Sequence, residues 1–256
     1  MNYLYDESFH GFLTCVYHHW YTGKAKGIFP DGDYQLDLGR FAMTVETETD
    51  KAERVLFSII EKISEWDAQR VFQVFCSNEP EKEMKLIRYL ELGFRKGPKT
   101  RLLHGNPVVK AVEAAERRVG MEVHRLCGLI RFSEIEEPGS GNPILYSKIE
   151  PDNDCLEFLA PHFSDRYKNE PFIIHDLGRS KALFSFHRNW EVAPFTIPAP
   201  DTPIKKTERE SGYSALWKQY FEVMATRERI NPKCQLNFMP ARYWKHLTEM
   251  DPKTGL

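Results

Sequence analysis

The chain's 256 residues, 41% apolar and 28% charged, are enough to bury a self-sufficient core and lie far from the disordered, fibrous and membrane classes. A formal net charge of -2 excludes the global basic field that draws a whole protein onto nucleic acid or anionic lipid, so any anion site must be local. Cys15, Cys76, Cys127, Cys155 and Cys234 are scattered, with no CxxC and no triplet fit for zinc or an iron-sulfur cluster. They read as reduced thiols, and neither a metal nor a cofactor is expected. The opening MNYLYDESFHGFL carries acids where a signal peptide would carry positive charge. No apolar stretch approaches the ~20 residues that span a bilayer, so a cytoplasmic protein without a membrane partner is expected.

In chain order, a short strand at Tyr3, Leu4 and Tyr5 precedes Phe9, Phe12, Leu13, Val16, Tyr17 and Trp20, whose spacing marks an amphipathic helix capped by Asp6 or Ser8. Residues 23–39, rich in Gly, Asp and Pro, read as a surface loop before a brief strand at 41–45. Three helix starts follow with capping-box spacing: Asp50 with Glu53, Ser64 with Asp67, and Asn78 with Glu81, the last helix stopping at Gly93. Asn106 and Pro107 open a further helix through Val108, Val112, Ala115 and Val119 toward Val123.

After Cys127 the period becomes extended. GLIRFSEIEE and PILYSKIEP flank the turn-rich EPGSGN, the pattern of a hairpin. Asp152 or Asn153 caps a helix through Leu156, Leu159 and Phe163, and the strands FIIHDL, KALFSFH and WEVAPF follow. Pro194, Pro198, Pro200 and Pro203 make a linker. Beyond it a helix starts near residues 211–214, carries Leu216, Trp217, Tyr220, Phe221, Met224 and Ala225 on one face, and ends at Asn231-Pro232. A short helix over 241–247 closes the chain, and both faces are expected to be covered by the rest of the protein.

The expected fold is α+β in one compact unit. It comprises a mostly helical region (1–127), an antiparallel sheet with one covering helix (128–195), and a linker with C-terminal helices (196–256).

The common catalytic motifs are missing: GSGNP at 139–143 lacks the Lys-Ser/Thr of a P-loop, and there is no GxSxG, HExxH, EF-hand loop or dinucleotide fingerprint. The densest polar cluster is His162, Asp165 and Arg166, followed by His175, Asp176 and Arg179. Two His-Asp pairs meeting between helix and sheet would suit metal binding or acid-base chemistry. The alternative is a salt-bridged network in which Asp165, Arg166, Asp176 and Arg179 lock helix to sheet.

Cations suited to phosphate form two further groups. His124, Arg125 and Arg131 stand beside Phe132 where helix passes into strand, with either a phosphate-and-base contact or a solvated face as the outcome. The tail from Tyr213 to His246 carries Lys218, Arg227, Arg229, Lys233, Arg242 and Lys245 against Glu222 and Glu228, interleaved with Tyr243 and Trp244. That mixture suits a nucleic-acid backbone and bases, and equally a solvated helix face.

The segments YLYDESFHGFLTCVY, HRLCGLIRF, LYSKIEPDNDCLEFLAPHFSDRY, FIIHDLGRSKAL and RERINPKCQLNFMPARYWKHLTEM resemble a domain-of-unknown-function family of DNA metabolism and repair proteins. The resemblance spans essentially the whole chain. It implies a pathway rather than a reaction: such domains occur alone, beside a separate radical SAM protein, or fused ahead of a uracil-DNA glycosylase-like domain. No catalytic residue transfers from it. The glycosylase motifs and the three-cysteine cluster of a radical SAM enzyme are missing here, so either chemistry would come from a partner. The leading expectation is an accessory DNA-repair protein that binds DNA or docks a radical SAM partner. It would do so through His124, Arg125, Arg131, Arg166, Arg179, Arg227, Arg229, Lys233, Arg242, Trp244 and Lys245. Its rivals are an enzyme acting on a damaged or modified nucleotide through His162, Asp165, His175 and Asp176, and a purely protein-docking subunit.

Overall fold

A computed structural model describes residues 1–34, 41–136, 142–196, 206–224 and 231–250. Contacts divide the chain into two compact units, Met1–Val119 and Gly120–Leu256, where the sequence reading drew one. The division falls inside a helix rather than at a linker. No helix among the described residues is long and apolar enough to cross a membrane.

In the first unit, strand β1 (Asn2–Tyr5) is buried along its whole length. A buried strand must pair the backbone N–H and C=O groups along both of its edges. It finds β2 (Gly27–Pro30) and β3 (Ala42–Thr44), both parallel to it. β2 lies in the segment read as a loop; four residues ending in proline are too few to show a period, and Ile28, 1% exposed, is what ties it to the core.

Helices α1 (Phe9–Tyr21), α2 (Thr49–Lys62), α3 (Glu65–Phe75) and α4 (Lys82–Lys96) complete this unit with the first part of α5 (Pro107–Leu129). Local caps form where a small oxygen meets a free amide. Gly11 donates to Ser8 Oγ at 2.9 Å, Asp67 to Ser64 Oγ at 3.0 Å and Val108 to Asn106 Oδ1 at 2.9 Å.

Two expected caps do not form. α2 begins after Glu48, placing Asp50 in its first turn, and α4 begins after Glu81, whose φ of 55° is left-handed. Gly93 does not stop α4. A Cβ there would lie 2.5 Å from Ile63 Cδ1, so glycine admits a close crossing, and the helix ends at Gly97 with φ 61°.

The second unit is built on a five-stranded sheet in the order β4 (Ser133–Glu136), β5 (Pro143–Ile149), β6 (Phe172–Asp176), β7 (Lys181–Phe186), β8 (Asn189–Pro194). The sheet is mixed, not antiparallel throughout: β5 and β6 run parallel while the other pairs are antiparallel. The physical reason is α6 (Leu156–Arg166), which carries the chain back across the sheet so that β6 starts beside the start of β5. Cys155 rather than Asp152 or Asn153 precedes this helix.

One face of the sheet carries Phe172, Ile174 and Leu183 against Leu156, Leu159 and Phe163 of α6 and Leu126 of α5. Each such side chain, once buried, contributes about 1.5–3 kcal/mol. The opposite face carries Tyr146, Lys148, His175 and Phe184.

Helix α7 (Glu208–Met224) begins earlier than read from sequence, because Glu210, 7% exposed, accepts the Glu134 amide at 2.9 Å and so ties its first turn to β4. Its apolar face is not covered: Leu216 is 61% exposed, Tyr220 55% and Met224 60%. Ala225 lies outside the described residues, and Asn231-Pro232, the expected end of this helix, instead opens the next one, Asn231 Oδ1 accepting the Cys234 amide at 3.0 Å. A short helix α8 (Pro232–Phe238), which the sequence reading missed, leads into 3₁₀ turns at Ala241–His246 and Thr248–Met250.

Candidate nucleic-acid interface

A cleft of about 340 Å³ opens in the second unit beside β4 and β5. The sheet supplies Ser133, Ile135, Tyr146 and Lys148. α7 supplies Ser214 and Lys218, with Lys206 just ahead of it, and the C-terminal turns supply Lys245, His246 and Thr248. Arg131 enters from the end of α5. Five of its side chains are cationic and none is a carboxylate.

The local sequence explains the convergence. Tyr146 and Lys148 alternate with the core residues of β5, so the period of two aims them away from α6. Ser214 and Lys218 are four apart and share a helix face. Glu210 and the pairing of Ile135 with Lys206 hold α7 against β4.

Carboxylates surround the cleft without lining it. Glu249 receives Arg131 Nη2 at 2.8 Å and Trp217 Nε1 at 3.0 Å. Burial pushes the Glu249 carboxyl up, but these donors prevail and hold it below the usual range. Glu150 is held low by the Lys245 hydrogen bond, with the His246 ring 3.3 Å away. Lys206 lies 4.0 Å from Glu210. Lys148 and Lys218 have no carboxylate within ion-pair distance among the described residues. These two ammonium groups are the charges an incoming anion would neutralise.

Behind the lining, the Tyr146 hydroxyl and His175 Nδ1 are 2.8 Å apart, and both residues are buried. Burial pushes Tyr146 up to about 12 and lowers His175, so both are neutral near neutral pH.

The cleft collects Arg131 and Lys245 from the expected nucleic-acid set. Arg179 instead braces a turn, donating to Asp176 Oδ2 at 3.0 Å and to the Asp152 carbonyl at 2.6 Å. Arg242 donates to Glu122 at 2.7 Å, and Trp244 Nε1 to the Met239 carbonyl at 2.9 Å. His124 is exposed and Arg125 half-buried on α5, Arg166 is exposed with its guanidinium 5.7 Å from the Tyr167 ring, and Lys233 is exposed on α8. Arg227 and Arg229 lie outside the described residues. Phe132 faces the core, edge-on to Phe163 and Phe172.

The four residues of the catalytic reading are not brought together. His162 and Asp165 are exposed on α6. His175 and Asp176, adjacent on β6, point to opposite faces, and Asp176 is spent on the Gly178 amide and Arg179. No group of three or more His, Cys, Asp or Glu among the described residues is placed to hold a metal ion.

Lys148, Lys206, Ser133 and Ser214 were not singled out from sequence, and Lys218 and His246 stand out there only as members of the basic tail. Lys148 had a legible signal, a lysine alternating with Tyr146 inside a strand. Lys218 is legible as one of the tail cations, but its place in this cleft depends on where α7 docks.

No curated protein matches the chain, and no solved structure does. One family profile, described as a domain of unknown function (DUF4130), matches residues 80–249. By that match, which covers more than half of its length, the chain belongs to the DUF4130 family.

Proposed function

We propose that this chain is an accessory protein of DNA metabolism that grips a nucleic-acid backbone in the cleft beside β4 and β5. The observation supporting it is the lining of Arg131, Lys148, Lys206, Lys218 and Lys245 without a carboxylate, in a protein whose net charge is -2. Phosphate binding by lysine and arginine releases condensed counterions and is therefore steeply salt-dependent. The hydroxyls of Ser133 and Thr248 add neutral donors for phosphate oxygens, whereas Ser214 Oγ donates to Glu210 Oε1 at 2.8 Å. The resemblance to DNA metabolism and repair proteins supports DNA as the polymer, and a radical SAM partner would supply the chemistry.

The test is fluorescence anisotropy with labelled single-stranded and duplex DNA across a salt series, comparing the native protein with Lys148→Ala/Lys218→Ala. Affinity that falls steeply with salt and is weakened in the double variant supports the reading. Absence of binding at low salt removes it.

A further inference from the structure

We infer that the cleft takes single-stranded rather than duplex nucleic acid, with unstacked bases lying on the Trp217 and Tyr220 rings of α7; this rests on the phosphate-binding reading above. The two rings already stack on each other, their centroids 5.8 Å apart and their planes 28° from parallel. Both are open to solvent, Trp217 at 39% and Tyr220 at 55%.

Trp217 adjoins the cleft through Arg131. The Arg131 guanidinium, part of the lining, sits 5.4 Å from its ring centroid, and its indole N–H is held by Glu249 at 3.0 Å. The next residue, Lys218, is one of the two lining cations with no carboxylate within ion-pair distance among the described residues, so a ring and an available charge are consecutive on one turn. An indole fixed at its nitrogen and backed by a cation presents a fixed π face.

The chemistry of the two polymers separates them. A duplex turns phosphates and base edges outward and keeps base faces stacked inside, so it has nothing to lay on an exposed ring pair. A single strand offers both a phosphate for the lysines and a base face for the aromatics, in any sequence. The pairing of cationic cleft and stacked rings matches the second polymer. Apolar area this large on α7 otherwise stays in water, with Tyr213 and Phe221 extending it.

The experiment compares an oligothymidylate of about twelve nucleotides with a duplex of equal length, at fixed low salt. The native protein is expected to prefer the single strand. Tyr220→Ala and Trp217→Ala are each expected to weaken its binding roughly tenfold while leaving duplex binding unchanged, and Trp217→Phe to keep most of it. Tyr220→Ala guards against a folding defect, because Tyr220 holds no carboxylate in place, and circular dichroism checks each variant. Single-strand affinity unchanged in both alanine variants, or preference for the duplex, overturns the inference while leaving phosphate binding intact. Loss of a self-associated form in these variants, with oligothymidylate affinity unchanged, also overturns it and makes the ring face a contact between copies of the chain. Unchanged binding in Lys148→Ala/Lys218→Ala instead removes the phosphate reading on which the inference stands.

Discussion

The Tyr243 hydroxyl donates to Glu122 Oε1 at 2.6 Å, joining the C-terminal 3₁₀ turn to α5 through a glutamate that is 1% exposed. Arg242 Nη2 reaches the same oxygen at 2.7 Å, and the Asp152 amide at 3.0 Å. The second oxygen takes the Asn153 amide at 2.8 Å and its side-chain Nδ2 at 2.6 Å. Burial alone would raise this carboxyl, yet its donors hold it below the ordinary range. Glu122→Ala strands several buried donors and is expected to cost about 3–5 kcal/mol. Tyr243→Phe removes one donor and is expected to cost about 1–3 kcal/mol. Urea unfolding of both variants measures this; a loss well below about 1 kcal/mol for Glu122→Ala would mean that water satisfies the donors.

Glu122 also shows what was legible beforehand. Val112, Ala115, Val119, Glu122 and Leu126 follow the three-and-four spacing of one helix face, and all are buried. A glutamate inside an apolar stripe is a signal for a buried polar hub, though its partners, 30 and 121 residues away, could not be named. Ser8, Ser64 and Asn106 were legible because a cap is settled within three residues. Asp50 and Asn78 had the same local pattern, but those helices start after Glu48 and Glu81, with no side-chain cap bond at either. The parallel β5–β6 pair needed knowledge of how α6 crosses the sheet, and the cleft needed the docking of α7. Both depend on contacts distant in sequence, where periodicity is silent.

The cations divide into those that hold the fold and those available to a ligand, and the division can be measured. Lys148→Ala with Lys218→Ala is expected to reduce the salt slope of single-strand binding by about 1.4, two phosphate contacts at roughly 0.7 each. Arg242→Ala should leave that slope unchanged and lower thermal stability, because its guanidinium serves Glu122 and Asp152. Equal slope changes for the two variants would show that Arg242 also faces phosphate.

The thiols give an independent check on the packing. Cys15 and Cys155 are fully buried, and burial pushes Cys15 up to about 12 and Cys155 higher still. An exposed thiolate attacks the disulfide of Ellman's reagent and expels thionitrobenzoate, so Cys234, exposed on α8, should react first. Cys234→Ser is expected to remove the fast phase, with Cys15 and Cys155 reacting only in denaturant. Rapid native reaction of Cys155 would show that the core around α6 opens.

Three buried histidines give stability a component that falls in mild acid. Burial depresses His19, His175 and His246 below the ordinary 6.5, partly opposed by Glu91 for His19 and by Glu150 for His246. As pH drops through about 6.5, these imidazoles take up protons in the unfolded chain before they do in the folded one. Their contribution is therefore full above about 6.5 and declines toward their lower folded values. Glu116, Glu157 and Asp176 act oppositely: burial raises them, so their penalty shrinks as pH falls. The decisive quantity is consequently a difference between variants rather than the raw slope. His175→Gln cannot take up the extra proton, and its melting temperature is expected to fall less than the native protein's between about pH 7.5 and pH 5.5. Parallel pH profiles for the two proteins would show that His175 titrates normally, and hence that water reaches the Tyr146–His175 contact.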